Sequence, residues 1–341
     1  MPELRIDPLS GHRTIVAGER SRRPGGEPRC EPAEPIDAAN DPFAEGREDR
    51  TPPELYARRA PGSAPNSPGW SVRVVPNLYP ALDPAPQPPQ RAGFSPGEPG
   101  EGSARGGTPG ELFVALPATG AHEVIVNGPQ SVLSLSELPR EQAVEAVEVW
   151  RERMRAHEQS AYVQLIVNER HEAGASLPHT HAQLYALDFV PAAVARERER
   201  ASAYATRTLG GNLLGDLVAE EVRRGERIVA IDEEAVLLAP YASRLPFQLM
   251  LAPRVPRARF ESDGPTGASL LHEGLCRLAR RLGCSPPLNL WVRTAPRGVQ
   301  DFCWRIDVMP RLTHLAGLEL STGINLNILA PEDAAALLRA A

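Results

Sequence analysis

The stretch "SLPHTHAQLYAL", Ser176–Leu187, sets two histidines and a glutamine at alternate positions: His179, His181 and Gln183. Period-two alternation predicts a strand, on which alternate side chains share one face. Three readings follow: half of a metal site, a plain surface pair, or a nucleophile with its support. A metal site needs further ligands close by, and the remaining histidines are scattered. An imidazole titrates near neutrality and can both attack phosphorus and leave it. An amide two positions along could donate to a non-bridging oxygen as charge develops. The preceding loop "RHEAGAS" carries Gly174 and Ser176, which with backbone N–H groups could cradle phosphate oxygens.

Working outward, "HEVIV" (His122–Val126) reads as a strand. "SELPREQAVEAVEVWRERMRAHEQ" reads as a helix with Ser136 as N-cap and Val144, Val147, Trp150 and Met154 on one face. "YVQLIVNE" is the next strand, before the glycine loop and the histidine strand. A single long helical region is expected from Ala192 to Arg224. The order then recurs: strands "ERIVAID", "AVLLAPY" and "FQLMLAP", a helix "GASLLHEGLCRLARRLG", strands "LNLWVRTA" and "CWRIDVMPRL", and a last helix. The recurrence predicts an α+β fold of two similar halves, residues 1–190 and 191–341, each a mainly antiparallel sheet with helices packed against it. Residues 23–69 read as irregular. "WSVRVVPNLYPAL" reads as a strand that turns at Pro76-Asn77. The stretch Ala81–Gly110 is rich in proline and glycine and is expected to form a surface loop.

With 42% hydrophobic and 23% charged residues, the chain has the composition of a soluble globular protein with a sizeable core. A net charge of −6 points away from nucleic acid and anionic membranes as partners, while allowing a small cationic pocket. No run approaches the roughly 18 apolar residues of a membrane span, and the N-terminal segment has no signal-peptide core. Cys30, Cys276, Cys284 and Cys303 form no CxxC pair and are too sparse for a disulfide framework, so a reduced cytoplasmic protein is expected.

"AGASLPHTHAQLYAL" resembles the active-site segment of the galactose-1-phosphate uridylyltransferases, a branch of the histidine-triad superfamily with the pattern G-x-S-x-P-H-P-H-x-Q. The opening "ELRIDPLSGHRTIVAGERSRRP", then "VVPNLYPAL", "GAHEVIV", "PYASRLPFQLMLAPR", "NLWVRTAP" and "AGLELSTGINLNI", are similar to family segments in the same order. The resemblance implies two histidine-triad-like halves. By position it makes His181 the nucleophile that takes a nucleotidyl group from an NDP-sugar, with Gln183 and Ser176 at the α-phosphate. Asn77, Asn168 and Gly174 match nucleotide-side positions, and Arg20 and Arg23 match arginines near the phosphates. Glu319 and Asn325 match contacts to hexose hydroxyls, made from the second half or from a second subunit, which allows a homodimer.

The chain departs from the family at its zinc site. Asp41 and Ala44 stand where the C-x-x-C cysteines are expected, and Ser131 stands where a histidine would lie, leaving His179 alone of four ligands. No metal or other cofactor is expected, with His179 a hydrogen-bonded structural residue. In the second half Cys303 and Arg305 replace the H-W-H histidines, and Arg293 stands at another ligand position. No second nucleophile or metal is expected there, and the arginines should pair with carboxylates or contact phosphate. The implied activity is transfer of UMP from UDP-glucose to galactose 1-phosphate or another hexose 1-phosphate, through a nucleotidyl-histidine. An NDP-sugar phosphorylase with inorganic phosphate as acceptor is the alternative, and a non-catalytic nucleotide-sugar binding protein a third reading.

Overall fold

The computed structural model describes residues 1–22, 28–84 and 116–341. Arg23 and most of the Pro/Gly-rich stretch 81–110 lie outside the described residues. In the first half, strands β3 (Tyr56–Arg59), β4 (Trp70–Pro76) and β5 (Gly120–Val126) precede helix α1 (Arg140–Ala156), then β6 (Tyr162–Glu169) and β7 (His181–Leu187). The second half repeats this: β8 (Ile228–Ile231), β9 (Ala235–Leu238), β10 (Leu249–Pro253), α4 (Ala268–Leu282), β11 (Leu288–Arg293) and β12 (Arg305–Pro310). Helices α2 (Ala192–Thr208) and α3 (Leu213–Arg224) connect them. After β12 come α5 (Gly317–Thr322), β13 (Asn325–Asn327) and α6 (Pro331–Arg339).

The two strand sets form one sheet of ten strands, in the order β3-β4-β5-β7-β6-β11-β12-β10-β9-β8. Each half contributes five strands in mirrored order, so the expected recurrence is a structural one. The halves join where β6 pairs antiparallel with β11, Asn168 opposite Asn289. Strands β1 (Glu3–Ile6) and β2 (Arg13–Val16) belong to a separate three-stranded sheet with β13. Arg5 there bonds Glu332 at 2.9 Å, and Thr14 donates to the Ala242 carbonyl at 3.2 Å, so the N-terminal hairpin sits against the second half.

Period-two patterning decides which face of the sheet is core. Leu165 and Val167 of β6, Ala182 and Leu184 of β7, and Ile306 and Val308 of β12 point to the helix-covered side, where Trp150, Met154 and Leu278 pack. His181 and Gln183 therefore fall on the opposite face. Over the second half that face is covered by Leu214 and Val218 of α3 against Val236, Leu238 and Met250.

Some local expectations change. Helix α1 begins after Pro139, while Ser136 lies in a short 3-10 turn whose cap is Ser134. Leu138, preceding proline, is extended with φ −76 and ψ 150, so a helix begun at Ser136 cannot continue through it. The helical region 192–224 is two helices, broken where Leu209 turns left-handed before Gly210-Gly211. The segment expected to be irregular contains β3. Cys30 and Cys284, 254 positions apart, form a disulfide, which corrects the reading of all cysteines as reduced. A pairing over that distance has no signature in local spacing.

Arg151 fastens α1 to the second half. Its guanidinium is fully buried, donates to the carbonyls of Phe260 and Thr266, and stacks 3.8 Å over the Phe260 ring. Burial pulls its pKa down to about 10, still charged at neutrality. Arg151→Ala would strand buried carbonyls and open a cavity, and should cost about 3 kcal/mol. Urea unfolding should show this as a lower midpoint at unchanged slope; an unchanged midpoint would refute the clamp.

Candidate active site

β7 begins with His181, whose ring is buried and lies 5.2 Å, edge to face, from the Phe43 ring. Its Nδ1 donates to the His179 carbonyl at 2.7 Å. That bond fixes the tautomer: the proton sits on Nδ1, and Nε2 keeps its lone pair. Burial lowers the pKa of the ring, against the raising effect of the His179 carbonyl, so the imidazole stays neutral below its ordinary range. A neutral, oriented imidazole is the form a nucleophile requires.

Gln183 is oriented as tightly. Its Oε1 accepts from the Tyr185 hydroxyl at 2.9 Å and from His122 Nε2 at 3.0 Å. His122 Nδ1 accepts from the Ala81 N–H at 3.1 Å, which leaves the proton on Nε2. With both lone pairs of Oε1 engaged, the amide NH₂ of Gln183 is the end left to donate to a ligand. His122 stacks on Tyr185 at 4.1 Å, and burial lowers its pKa, so it stays a neutral donor. Sequence reasoning missed both residues. The available signal was register, since β5 places His122 directly opposite Tyr185 on the glutamine face.

The loop before β7 is held from below. Gly174 has φ 90, a left-handed conformation that a side chain would strain, although a Cβ there would meet nothing within 4 Å. Arg170, itself at φ 69, is pinned by its guanidinium to the Glu31 carbonyl at 2.8 Å and the Ser285 carbonyl at 3.1 Å. Ser176 is exposed at the end of this loop.

The other expected residues divide. The Asn77 amide nitrogen lies 3.1 Å from His122 Nε2, beside the Gln183 cluster but with no hydrogen bond to it, since both nitrogens carry protons. Asn168 accepts from Asn289 of the second half at 2.8 Å and shares a cavity of about 360 Å³ with Asn325. Asn289, which also donates to the Ala173 carbonyl at 2.7 Å, went unnoticed in the sequence. Glu319 accepts from the Ala316 N–H at 3.0 Å and caps α5. Arg20 lines a different cavity, with Ala17 and Leu329.

Three of the four positions that the resemblance assigns to zinc ligands, Asp41, Ser131 and His179, converge with other chemistry. The Asp41 carboxylate accepts from His179 Nδ1 and from the Ser131 hydroxyl, each at 2.7 Å, while His179 Nε2 meets the Gly128 carbonyl at 2.8 Å. Burial works to raise the Asp41 pKa, but its bonds to His179 and Ser131 outweigh that and hold it below the ordinary carboxylate range. These residues do not fit zinc: both ring nitrogens of His179 are already bound to acceptors, Ala44 offers a methyl group, and no thiolate is present. Among the described residues no group of three or more His, Cys, Asp or Glu is placed to hold a metal. In the second half Arg305 pairs with Glu197 at 3.0 Å and Asp307 at 2.9 Å, and Arg293 with Glu197 at 3.5 Å. Burial pushes the Cys303 thiol up to about 11, so it is no nucleophile at neutral pH.

Elemental analysis of the purified protein should find well under one zinc per chain, and a chelator should leave the melting temperature unchanged. Stoichiometric zinc whose removal unfolds the protein would contradict this. Gln183→Ala should slow nucleotidyl transfer roughly a hundredfold while changing substrate binding much less. An unchanged transfer rate with weakened binding would show that the amide holds only the ground state.

Residues 1–191 match the family model described as galactose-1-phosphate uridyl transferase, N-terminal domain. Residues 136–339 match a domain of unknown function, DUF4921. The chain is 27% identical to an ADP-glucose phosphorylase of Arabidopsis thaliana, over 99% of this chain and 92% of that protein. It is 26% identical to a galactose-1-phosphate uridylyltransferase of Cryptococcus neoformans, over 86% of this chain and 74% of that one. The crystal structure of an Arabidopsis ADP-glucose phosphorylase with bound ADP-glucose superposes with a TM-score of 0.76 at 26% identity, covering 100% of this chain and 99% of that one. With a family model matched over more than half its length and the fold shared from end to end, the chain belongs to the galactose-1-phosphate uridyl transferase family.

Proposed function

We propose that this protein is a nucleotide-sugar phosphorylase that works through a nucleotidyl-histidine on His181. The observation that carries the chemistry is the bond from His181 Nδ1 to the His179 carbonyl, which leaves Nε2 as a fixed, unprotonated nucleophile. Nε2 attacks the α-phosphorus of an NDP-sugar. The P–N bond forms, the bridging P–O bond breaks, and the hexose 1-phosphate leaves with the electron pair. Inorganic phosphate then attacks the same phosphorus, the P–N bond breaks, and a nucleoside diphosphate is released with the imidazole restored to its starting tautomer. Gln183 donates its amide hydrogens to the non-bridging oxygens in both steps, and the 174–176 loop supplies backbone donors.

The choice of acceptor rests on similarity. The relative matched over 92% of its own length is an ADP-glucose phosphorylase, which favours inorganic phosphate and an adenine nucleotide. A second reading, transfer of UMP from UDP-glucose to a hexose 1-phosphate, is supported by the uridylyltransferase relatives and family model. Loss of the zinc ligands is compatible with either, because the nucleophile and its orienting bond do not pass through them.

Mass spectrometry after mixing with ADP-glucose or UDP-glucose should show a nucleotidyl adduct on His181. Adding inorganic phosphate should discharge it to a nucleoside diphosphate, and adding galactose 1-phosphate should discharge it only if the transferase reading holds. His181→Ala should abolish adduct and turnover while the protein stays folded, whereas His179→Ala should lower stability and leave measurable transfer. Turnover by His181→Ala near the unsubstituted rate, or an adduct on His179, would overturn the assignment.

A further inference from the structure

The second half holds a cavity of about 230 Å³ that the proposed chemistry does not use. Its wall includes β12, the strand that mirrors β7 in the sheet order. Arg305 and Asp307 are the first and third residues of β12, as His181 and Gln183 are of β7. The mirrored position of the nucleophile thus carries a guanidinium. The two strands stand three places apart, about 14 Å at the usual strand spacing.

Three carboxylates line this cavity, and each is already engaged. Asp7 closes its own turn, accepting from the N–H groups of Leu9 and Ser10 at 3.1 Å. Glu197 is held by Arg305 and Arg293, and Asp307 by Arg305. Arg244 is different. Among the described residues no carboxylate lies at ion-pair distance from it; its guanidinium contacts the Met309 sulfur at 3.0 Å and lies 5.6 Å from the Trp291 ring. Burial lowers its pKa, outweighing the raising effect of the Asp307 and Asp7 carboxylates beyond ion-pair distance. Trp291 lines both this cavity and the one around Asn168, and its buried indole N–H has no hydrogen-bond partner. Arg196 adds a second guanidinium from the exposed face of α2. Burial and the Arg244 charge keep His12 below its ordinary pKa, so the cationic excess comes from the arginines.

A desolvated guanidinium and an unsatisfied N–H beside filled carboxylates call for an acceptor with negative charge. We infer that this cavity is a second anion site, separate from His181, that takes a monophosphate group on Arg244, with the Trp291 indole as neutral donor and Arg196 at the mouth. Inorganic phosphate and a hexose monophosphate present the same group to these donors.

The test is equilibrium dialysis in the His181→Ala background, where no turnover consumes the label. Labelled inorganic phosphate and labelled glucose 1-phosphate form separate arms, each with and without a saturating nucleotide sugar, ADP-glucose, which fills the catalytic site and carries no monophosphate group. In at least one arm, one equivalent should bind per chain and persist when the nucleotide is present; the arm that binds identifies the source. Arg244→Gln should weaken binding roughly tenfold or more. Because Arg244 also borders the cavity around Asn168, Arg196→Glu supplies the second variant: it lies on an exposed helix face, lines the proposed anion cavity and not the one around Asn168, and should weaken binding too. Binding in neither arm, displacement of all label by the nucleotide, or full binding in Arg196→Glu would overturn the site.

Discussion

The antiparallel pairing of β6 with β11 is the constraint on which the molecule depends. It converts two five-stranded sheets into one, and it gives both halves a common face of helices and a common face of chemistry. Asn168 lies on one side of that seam and Asn289 on the other. The hydrogen bond between them, together with that from Asn289 to the Ala173 carbonyl, ties the loop before His181 to the second half. Arg170 and the Cys30–Cys284 disulfide fasten the same region from outside the sheet. The loop before His181 is therefore braced from several directions, which would keep the proposed nucleophile oriented.

Structure and chemistry meet in the two histidines. His179 is buried and bonded through both ring nitrogens, so it cannot act on a ligand, yet its carbonyl sets the tautomer of His181. Asp41 and the Gly128 carbonyl supply the buried hydrogen bonds that anchor His179, and Ser131 donates to Asp41 in turn. Hydrogen bonds hold the strand end at this position and leave Nε2 of His181 free. Such a network holds only while every member is satisfied, which is why Asp41 accepts from three donors, the third being the Phe43 N–H.

The second half has followed another course from the same architecture. Where the first half places an imidazole and an amide, β12 places a guanidinium and a carboxylate, and Glu197 of α2 completes an ion-pair cluster. Arg244 lies outside that cluster, with no carboxylate at ion-pair distance among the described residues, at the border of both cavities.

Period-two patterning in "HTHAQLYAL" determined the strand, the shared face of His181 and Gln183, and the opposite burial of Ala182 and Leu184, because alternation along a strand is a local geometric rule. The recurrence of element order likewise determined the α+β class. Helix boundaries were legible only in part, since Leu138 before proline and the Leu209–Gly211 break act through backbone conformation rather than composition. Ser131 and Asp41 were legible as missing ligands, but the bonds of Asp41 to Ser131 and to His179 were not, since 90 and 138 positions separate the partners. The support of Gln183 by His122, the role of Asn289, the N-terminal hairpin against the second half and the disulfide were decided by tertiary structure alone. Each joins residues far apart in the chain, and sequence spacing carries no information about contacts that only the folded chain creates.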